Sequence, residues 1–510
     1  MPDISSTYQR LVERLREIYD LGSVLGILGW DQQVVMPPKA APARARQFSR
    51  LAAILHQLAT DPQIGRWLEE LERGADQLDQ DQRVVVREAR RDYDKATKIP
   101  EEFVREKAAH TSEAYQVWVK AREESDFARF APYLAKNVEL ARREAQYLGY
   151  EESPYDPLLD KYDPGLTEAF VAEVFSRLRQ TLKELIGEIV ATGLEPVREK
   201  LFSPHTWPEE KQKELGIKVI ERFGYDLEAG RVDTAVHPFC GGYIGDVRVT
   251  TRYNLSDPLD SLMGLMHECG HALYNQGLSP DTWGTPLSEP VGTAVHESQS
   301  RMWENLVGRS RSFWEWLWPL FQEHFPEQTR GMSLDQVYLA VKQVRPDFIR
   351  VEADEVTYGM HIILRFELER ALIKGELSVE ELPARWNELM EELLGITPPN
   401  DRLGVLQDIH WSGASFGYFP SYQLGNLIAA QLYQQAEKEL GNLEENYRQG
   451  EFGRLLGWLR EKIHRQGKRY LTQELVEKVT GAPLSPDPFI EHLRRDYLSL
   501  YQSRAAPAEG

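Results

Sequence analysis

The sequence predicts an all-α, predominantly helical protein with one small antiparallel β-sheet beside the helix that carries its chemistry. Three observations lead there. Over most of the 510 residues, apolar side chains recur at three- and four-residue spacing between charged ones, the mark of amphipathic helices. Short proline-rich stretches punctuate these segments. Only one place, Asp246-Val247-Arg248-Val249-Thr250, alternates polar and apolar with period two, as a half-buried strand does.

In chain order, helices are expected over Tyr8–Leu21, Ala41–Leu58, Gln82–Thr97, Glu101–Arg122 and Leu166–Ala191. Their breaks fall at Met36-Pro37-Pro38, Ile99-Pro100, Ser153–Gly165 and Phe202–Pro208. Between Thr234 and Tyr253 the pattern changes: Pro238 and Gly241-Gly242 suit a turn, and the alternating run that follows completes a hairpin with Asp246, Arg248 and Thr250 on one face. Helices resume over Glu289–Val307, Ala353–Lys374, Val379–Leu394, Leu424–Leu440 and Phe452–Gln466, and Ala505–Gly510 reads as a frayed tail. No low-complexity linker marks a domain cut. The expectation is one composite unit, with a helical part over 1–230 and a part carrying the chemistry over 231–510.

With 42% hydrophobic residues the chain can bury a large core. A formal charge of -20, from 60 basic and 80 acidic residues, argues against nucleic acid and anionic membrane as general partners. Met1–Arg16 lacks a charged-then-apolar leader pattern, and the apolar run Leu21–Trp30 is too short to span a bilayer. The two cysteines, Cys240 and Cys269, form no CxxC and no disulfide framework, which fits a reducing, cytoplasmic setting.

The chemistry is concentrated in His267-Glu268-Cys269-Gly270-His271. Its helix has an N-cap in Asp257, proline at the first position in Pro258 and a stop at Gly277. Leu262, Leu265, Met266, Cys269, Ala272 and Leu273 form one apolar stripe, so Cys269 reads as core. His267 and His271 lie off that stripe, one turn apart, where two imidazoles can share a metal ion and Glu268 can act on the water activated there. A lone histidine on such a face is more often a buried structural residue; two around a glutamate favour a metal.

A hydrolytic zinc site takes three protein ligands. The next predicted helix, with Ser288 as N-cap, carries His296-Glu297-Ser298-Gln299-Ser300-Arg301. Only one of His296 and Glu297 can face the metal, because adjacent helical positions diverge by about 100°. Glu297 is preferred, since Arg301 one turn on can orient its carboxylate, although the same pair can be an ordinary surface ion pair.

Six ordered motifs now add up to a resemblance. They are His237-Pro238-Phe239, Asp246–Thr250 as DxRxT, the histidine pair, His296–Gln299, Ile349–Asp354 as IRxxAD, and Gly404–Trp411 as GxxQDxHW. Together with Trp30-Asp31 to Met36-Pro37, they make most of the chain resemble the carboxypeptidase Taq family of metallocarboxypeptidases. The resemblance implies a two-lobed helical fold with a deep groove, similar to neurolysin and angiotensin-converting enzyme, with N-terminal helices as a lid. It implies release of single residues from the C-terminus of a peptide, one zinc or cobalt ion per chain, and a homodimer. It also implies His267, His271 and Glu297 as metal ligands, with Glu268 as general base and acid.

A free α-carboxylate is best matched by the planar fork of an arginine. Arg350 is the first candidate and Arg248 the second, and His237 is expected to line the groove. Tyr418 and Tyr422, just before the helix expected at Leu424, resemble the tyrosine segment that stabilises the oxyanion in related peptidases, with Tyr418 preferred. Both can also be packing aromatics. His410 is a candidate to bind substrate or support the oxyanion, and Trp411 reads as wall or core. Two other readings stand beside the carboxypeptidase: an endo-oligopeptidase on the same architecture, and a non-catalytic peptide-binding protein.

Overall fold

The computed structural model describes residues 3–505, so most of the expected C-terminal tail lies outside the described residues. Every helical segment anticipated above is helical, with shifted ends. The first helix runs over Ile4–Val34, straight through Gly22, Gly26 and Gly29. These glycines share one face by spacing, and Ala41–Ala59 folds back along the same helix, with Phe48 lying 3.9 Å from where a Cβ on Gly29 would sit.

One apolar core draws on residues from Ala114 to Tyr501 and crosses the expected 230/231 boundary without a break. The seam in the packing lies earlier. Ile4, Leu11, Ile64, Leu68, Leu71, Leu78, Val86 and Ala89 form a separate small core, and Val12, Val84 and Val85 another with Leu287. Helices Ile4–Val34, Pro62–Arg73 and Gln80–Lys98 therefore make a module of their own, joined to the body partly by ion pairs such as Arg469–Asp81.

The sheet has three strands: β1 (Gly230–Thr234), β2 (Cys240–Tyr243) and β3 (Asp246–Thr251), in the order β1-β3-β2. The β2–β3 hairpin is antiparallel as expected, but β1 pairs with β3 in parallel, so the sheet is mixed. Ala235–Phe239 step across the end of β3 and β2 itself runs the chain back, so β3 starts beside the start of β1; the alternation within β3 does not encode this. No helix of the described residues is long and apolar enough to cross a membrane.

The histidine helix spans Pro258–Gly277, and the Asp257 carboxylate accepts from Leu259 N–H at 3.0 Å, as a cap should. The following helix is shorter than the sequence suggests. Ser288 belongs to a separate 3-10 turn, and the helix begins at Thr293, runs to Arg301 and continues π-helically over Met302–Val307. Its cap comes from far away in sequence: Asp163 Oδ1 accepts from Ala294 N–H at 2.9 Å. The helix expected from Leu424 starts instead at Phe419, which places Tyr422 in its first turn and Tyr418 at its N-cap.

Candidate metal centre and cleft

Helices Pro258–Gly277, Thr293–Arg301 and Phe419–Leu440 meet almost backbone to backbone. A Cβ on Gly270 would sit 2.5 Å from Gln299 O and 2.6 Å from Ser300 Cα, and one on Gly425 would sit 2.6 Å from Glu297 Cγ. Only glycine permits these approaches, and they bring Glu297 against the two histidines. Glu297 Oε2 lies 3.6 Å from His267 Nε2 and 3.3 Å from His271 Nε2. Among the described residues, these three form one group whose ligand atoms all lie within 4.8 Å of one another.

Each of the three side chains is oriented from behind. His267 Nδ1 lies 2.9 Å from Glu304 Oε2, and Arg309 holds the other carboxylate oxygen of Glu304 at 2.9 Å. His271 Nδ1 lies 2.6 Å from His296 Nδ1, whose Nε2 faces Asn275 Oδ1 at 3.0 Å. With Asn275 accepting from Nε2–H, His296 Nδ1 accepts from His271 Nδ1–H. Both His267 and His271 thus direct Nδ1–H away from Glu297 and turn Nε2 toward it, the orientation in which a neutral ring binds a metal. His296 therefore lies behind His271, between it and Asn275, and outside the group of three. Glu297 accepts from Arg301 Nε at 2.7 Å and from Ser300 Oγ at 3.0 Å. Burial alone would raise the Glu297 carboxyl, but Arg301 and the two histidines outweigh it and hold it well below the usual carboxylate range. For Glu304 burial is outweighed in the same way, by His267, Arg301 and Arg309. Glu268 is 8% exposed, and burial raises its pKa.

A cleft of about 660 Å³ opens over the centre. Its floor includes His267, Glu268, His271 and Glu297, with Phe239 and Cys240 on one wall and Tyr418 and Tyr422 on another. Across from the metal residues, the Gln80–Lys98 helix contributes Arg91 and Lys95. Burial pushes the Tyr418 phenol up to about 12, so it carries a proton to donate.

The remaining candidates lie further back. Arg350 is 6% exposed, and its Nε and Nη2 lie 3.0 and 2.8 Å from Asp408 Oδ1, with Nη1 donating to Tyr358 OH at 3.1 Å. It stands behind the Tyr422 ring at 4.9 Å rather than on the cleft wall. Arg248 forms a two-bond pair with Asp246 at 2.7 and 2.6 Å and lies 4.6 Å over the Trp30 ring, also off the wall. His237 is exposed, and its neighbours Pro238 and Phe239 face the cleft in its place. His410 Nε2 lies 3.2 Å from Tyr422 OH, behind the tyrosines, and burial lowers its pKa to about 3, so the ring is neutral. Sequence reasoning missed Glu304, although it lies seven residues after Glu297 on the same helical face; that spacing was a usable signal. Asn275 and Asp163 carried no such signal.

Two imidazoles and a carboxylate converging on the floor of a cleft, with a buried glutamate beside them, define a metal-dependent hydrolase. Comparison with known proteins makes this specific. The model of the carboxypeptidase Taq (M32) metallopeptidase family matches residues 10–497. The chain is 44% identical to thermostable carboxypeptidase 1 of Thermus thermophilus, over 97% of this chain and 99% of the relative, and 38% identical to carboxypeptidase 1 of Bacillus subtilis over the same shares. The crystal structure of an M32 carboxypeptidase from Deinococcus radiodurans superposes with a TM-score of 0.93 at 40% identity, covering 98% of this chain and 100% of that one. A structure of Pyrococcus furiosus carboxypeptidase gives 0.94 at 38% identity, covering 96% and 99%. The chain belongs to the carboxypeptidase Taq (M32) family and is a metallocarboxypeptidase, a peptide hydrolase.

Proposed function

We propose that this enzyme is zinc-dependent and removes single residues from the free C-terminus of peptides. The observation that carries the reading is the convergence of His267 Nε2, His271 Nε2 and Glu297 Oε2 on one point, with Glu268 beside them on the cleft floor. The donor set, two neutral imidazoles and one carboxylate, suits zinc, with cobalt able to take its place, one ion per chain. When bound, the metal acidifies a water and polarises the scissile carbonyl.

Glu268 takes the proton from the attacking water and returns it to the leaving amine. Its burial supports this role, because a carboxyl with a raised pKa accepts and releases a proton closer to neutrality. Tyr418, on the cleft wall and protonated, donates to the developing oxyanion, and Tyr422 lies behind it in the same role. His410 acts through its contact with Tyr422. Arg350 is assigned the substrate's α-carboxylate: three of its five N–H groups are engaged in the free enzyme, which leaves two to offer. Arg248 and His237 are assigned secondary contacts with the substrate. We place the enzyme in the cytoplasm, since both cysteines are free, and infer a homodimer.

Digestion of one peptide with a free or an amidated C-terminus, with and without chelator, tests the reading by mass spectrometry. A ladder of single-residue losses from the free peptide alone, stopped by chelator and restored by zinc, is expected. Internal cleavage of the amidated peptide at an undiminished rate would make the enzyme an endo-oligopeptidase.

A further inference from the structure

The stretch Tyr155–Asp163, a proline-bearing junction in the sequence, folds as a mould for the tyrosine segment. Tyr162 meets Tyr418 edge-on, ring centroids 4.9 Å apart. Leu158 O lies where a Cβ on Gly417 would come within 2.5 Å, and Gly417 has φ +89°, so that backbone position admits only glycine. Two buried carboxyls complete the mould. Glu369 Oε2 accepts from Tyr155 OH at 2.6 Å and from Gly417 N–H at 2.9 Å, while its Oε1 accepts from Trp411 Nε1 at 2.8 Å. Asp163 Oδ2 accepts from Ser421 Oγ at 2.6 Å, and its Oδ1 caps Ala294 N–H in the first turn of the Glu297 helix.

We propose that Glu369 and Asp163 are positioning residues: by gripping positions 417 and 421, on either side of Tyr418, they fix the hydroxyl that meets the oxyanion. Both side chains are fully buried, and neither forms an ion pair with a described residue. Burying a carboxyl among neutral donors is costly, and a neutral side chain would avoid that cost. What the carboxyls add is acceptors. All three partners of Glu369 are donors, a set no amide can satisfy. A tyrosine has two rotatable bonds, so the place of its hydroxyl follows the backbone that carries it. Asp163 also ties that backbone to the Glu297 helix, and so holds donor and metal ligand in one frame.

The inference rests on Tyr418 being the oxyanion donor, and its test separates the two claims. kcat, KM and metal content are measured for Tyr418→Phe, Glu369→Gln, Ser421→Ala and the two doubles with Tyr418→Phe. Tyr418→Phe is expected to lower kcat about 100-fold. Glu369→Gln lowers it about 10-fold and Ser421→Ala about 3-fold, with KM and metal content unchanged. Each double matches Tyr418→Phe within about 2-fold, because the grip then has no donor left to place. Losses that multiply in the doubles, or single variants with wild-type kcat beside a crippled Tyr418→Phe, overturn the positioning role. A Tyr418→Phe enzyme with unchanged kcat overturns the donor assignment and the grip together. Ser421→Ala removes one hydroxyl only, so it decides the matter should Glu369→Gln fail to fold.

Discussion

The two sides of the cleft treat their buried carboxyls in opposite ways. On the metal side, Glu297 and Glu304 are surrounded by Arg301, Arg309 and imidazoles, and these charges outweigh burial and keep both ionised. On the tyrosine side, Glu369 and Asp163 meet only hydroxyl, indole and amide donors, and burial pushes them up to about 7 and about 6. The difference follows function. A metal ligand must be anionic at every working pH, so it is given a permanent countercharge. A residue that only fixes a backbone needs acceptors and can tolerate a raised pKa.

Four changes break or sharpen this contrast. The largest effect is expected at the crossing of the metal helices. Gly270→Ala drives a methyl into the backbone of Gln299 and Ser300, which cannot give way, so stability falls by about 1–3 kcal/mol and metal is lost. On the same helix a Cβ at Gly264 meets nothing within 4 Å, and Gly264→Ala should leave the melting temperature unchanged or raise it. Melting curves with and without zinc compare the two; equal behaviour would mean that the close approach is unimportant.

Next comes Arg350→Lys. A lysine cannot span Asp408 and a substrate carboxylate with one planar fork, so kcat/KM on free-carboxylate peptides drops at least about 10-fold through KM. An unchanged KM would move the clamp to another cation lining the cleft, such as Arg91 or Lys95. Glu304→Gln, behind His267, weakens zinc binding about 10- to 100-fold in a chelator competition while sparing kcat at saturating metal. The smallest effect is a pH slope. Glu369 keeps its proton up to about 7 in the fold against an ordinary 4.5, so the folded state binds more protons between those values. Stability therefore falls as pH rises through that window and levels off above it. Urea midpoints at about pH 5 and pH 8 should differ less in Glu369→Gln than in the wild type, whereas equal differences would mean Glu369 is not the group responsible.

Most of the helices and the histidine pair facing Glu297 were legible because both are local signals. An i,i+4 spacing and an Asp257 cap are read within one turn, and Arg301 sits one turn from Glu297. What was illegible depends on contacts far apart in sequence. Ser288 looked like a cap because the true cap, Asp163, lies more than a hundred residues earlier. The parallel pairing of β1 leaves no trace in the alternation of β3. The motif arginines announced charge but not its partners, which are Asp408 for Arg350 and Asp246 for Arg248.

The central claim is that Glu268 moves the proton while His267, His271 and Glu297 only hold the metal. Glu268→Gln separates these roles, since the amide keeps the shape of the site and loses the base. Metal content and kcat are to be measured on the same preparation. Full metal occupancy with kcat reduced about 1000-fold or more is the predicted result. A fully loaded Glu268→Gln enzyme that still trims peptides in a chelator-sensitive way would contradict the account.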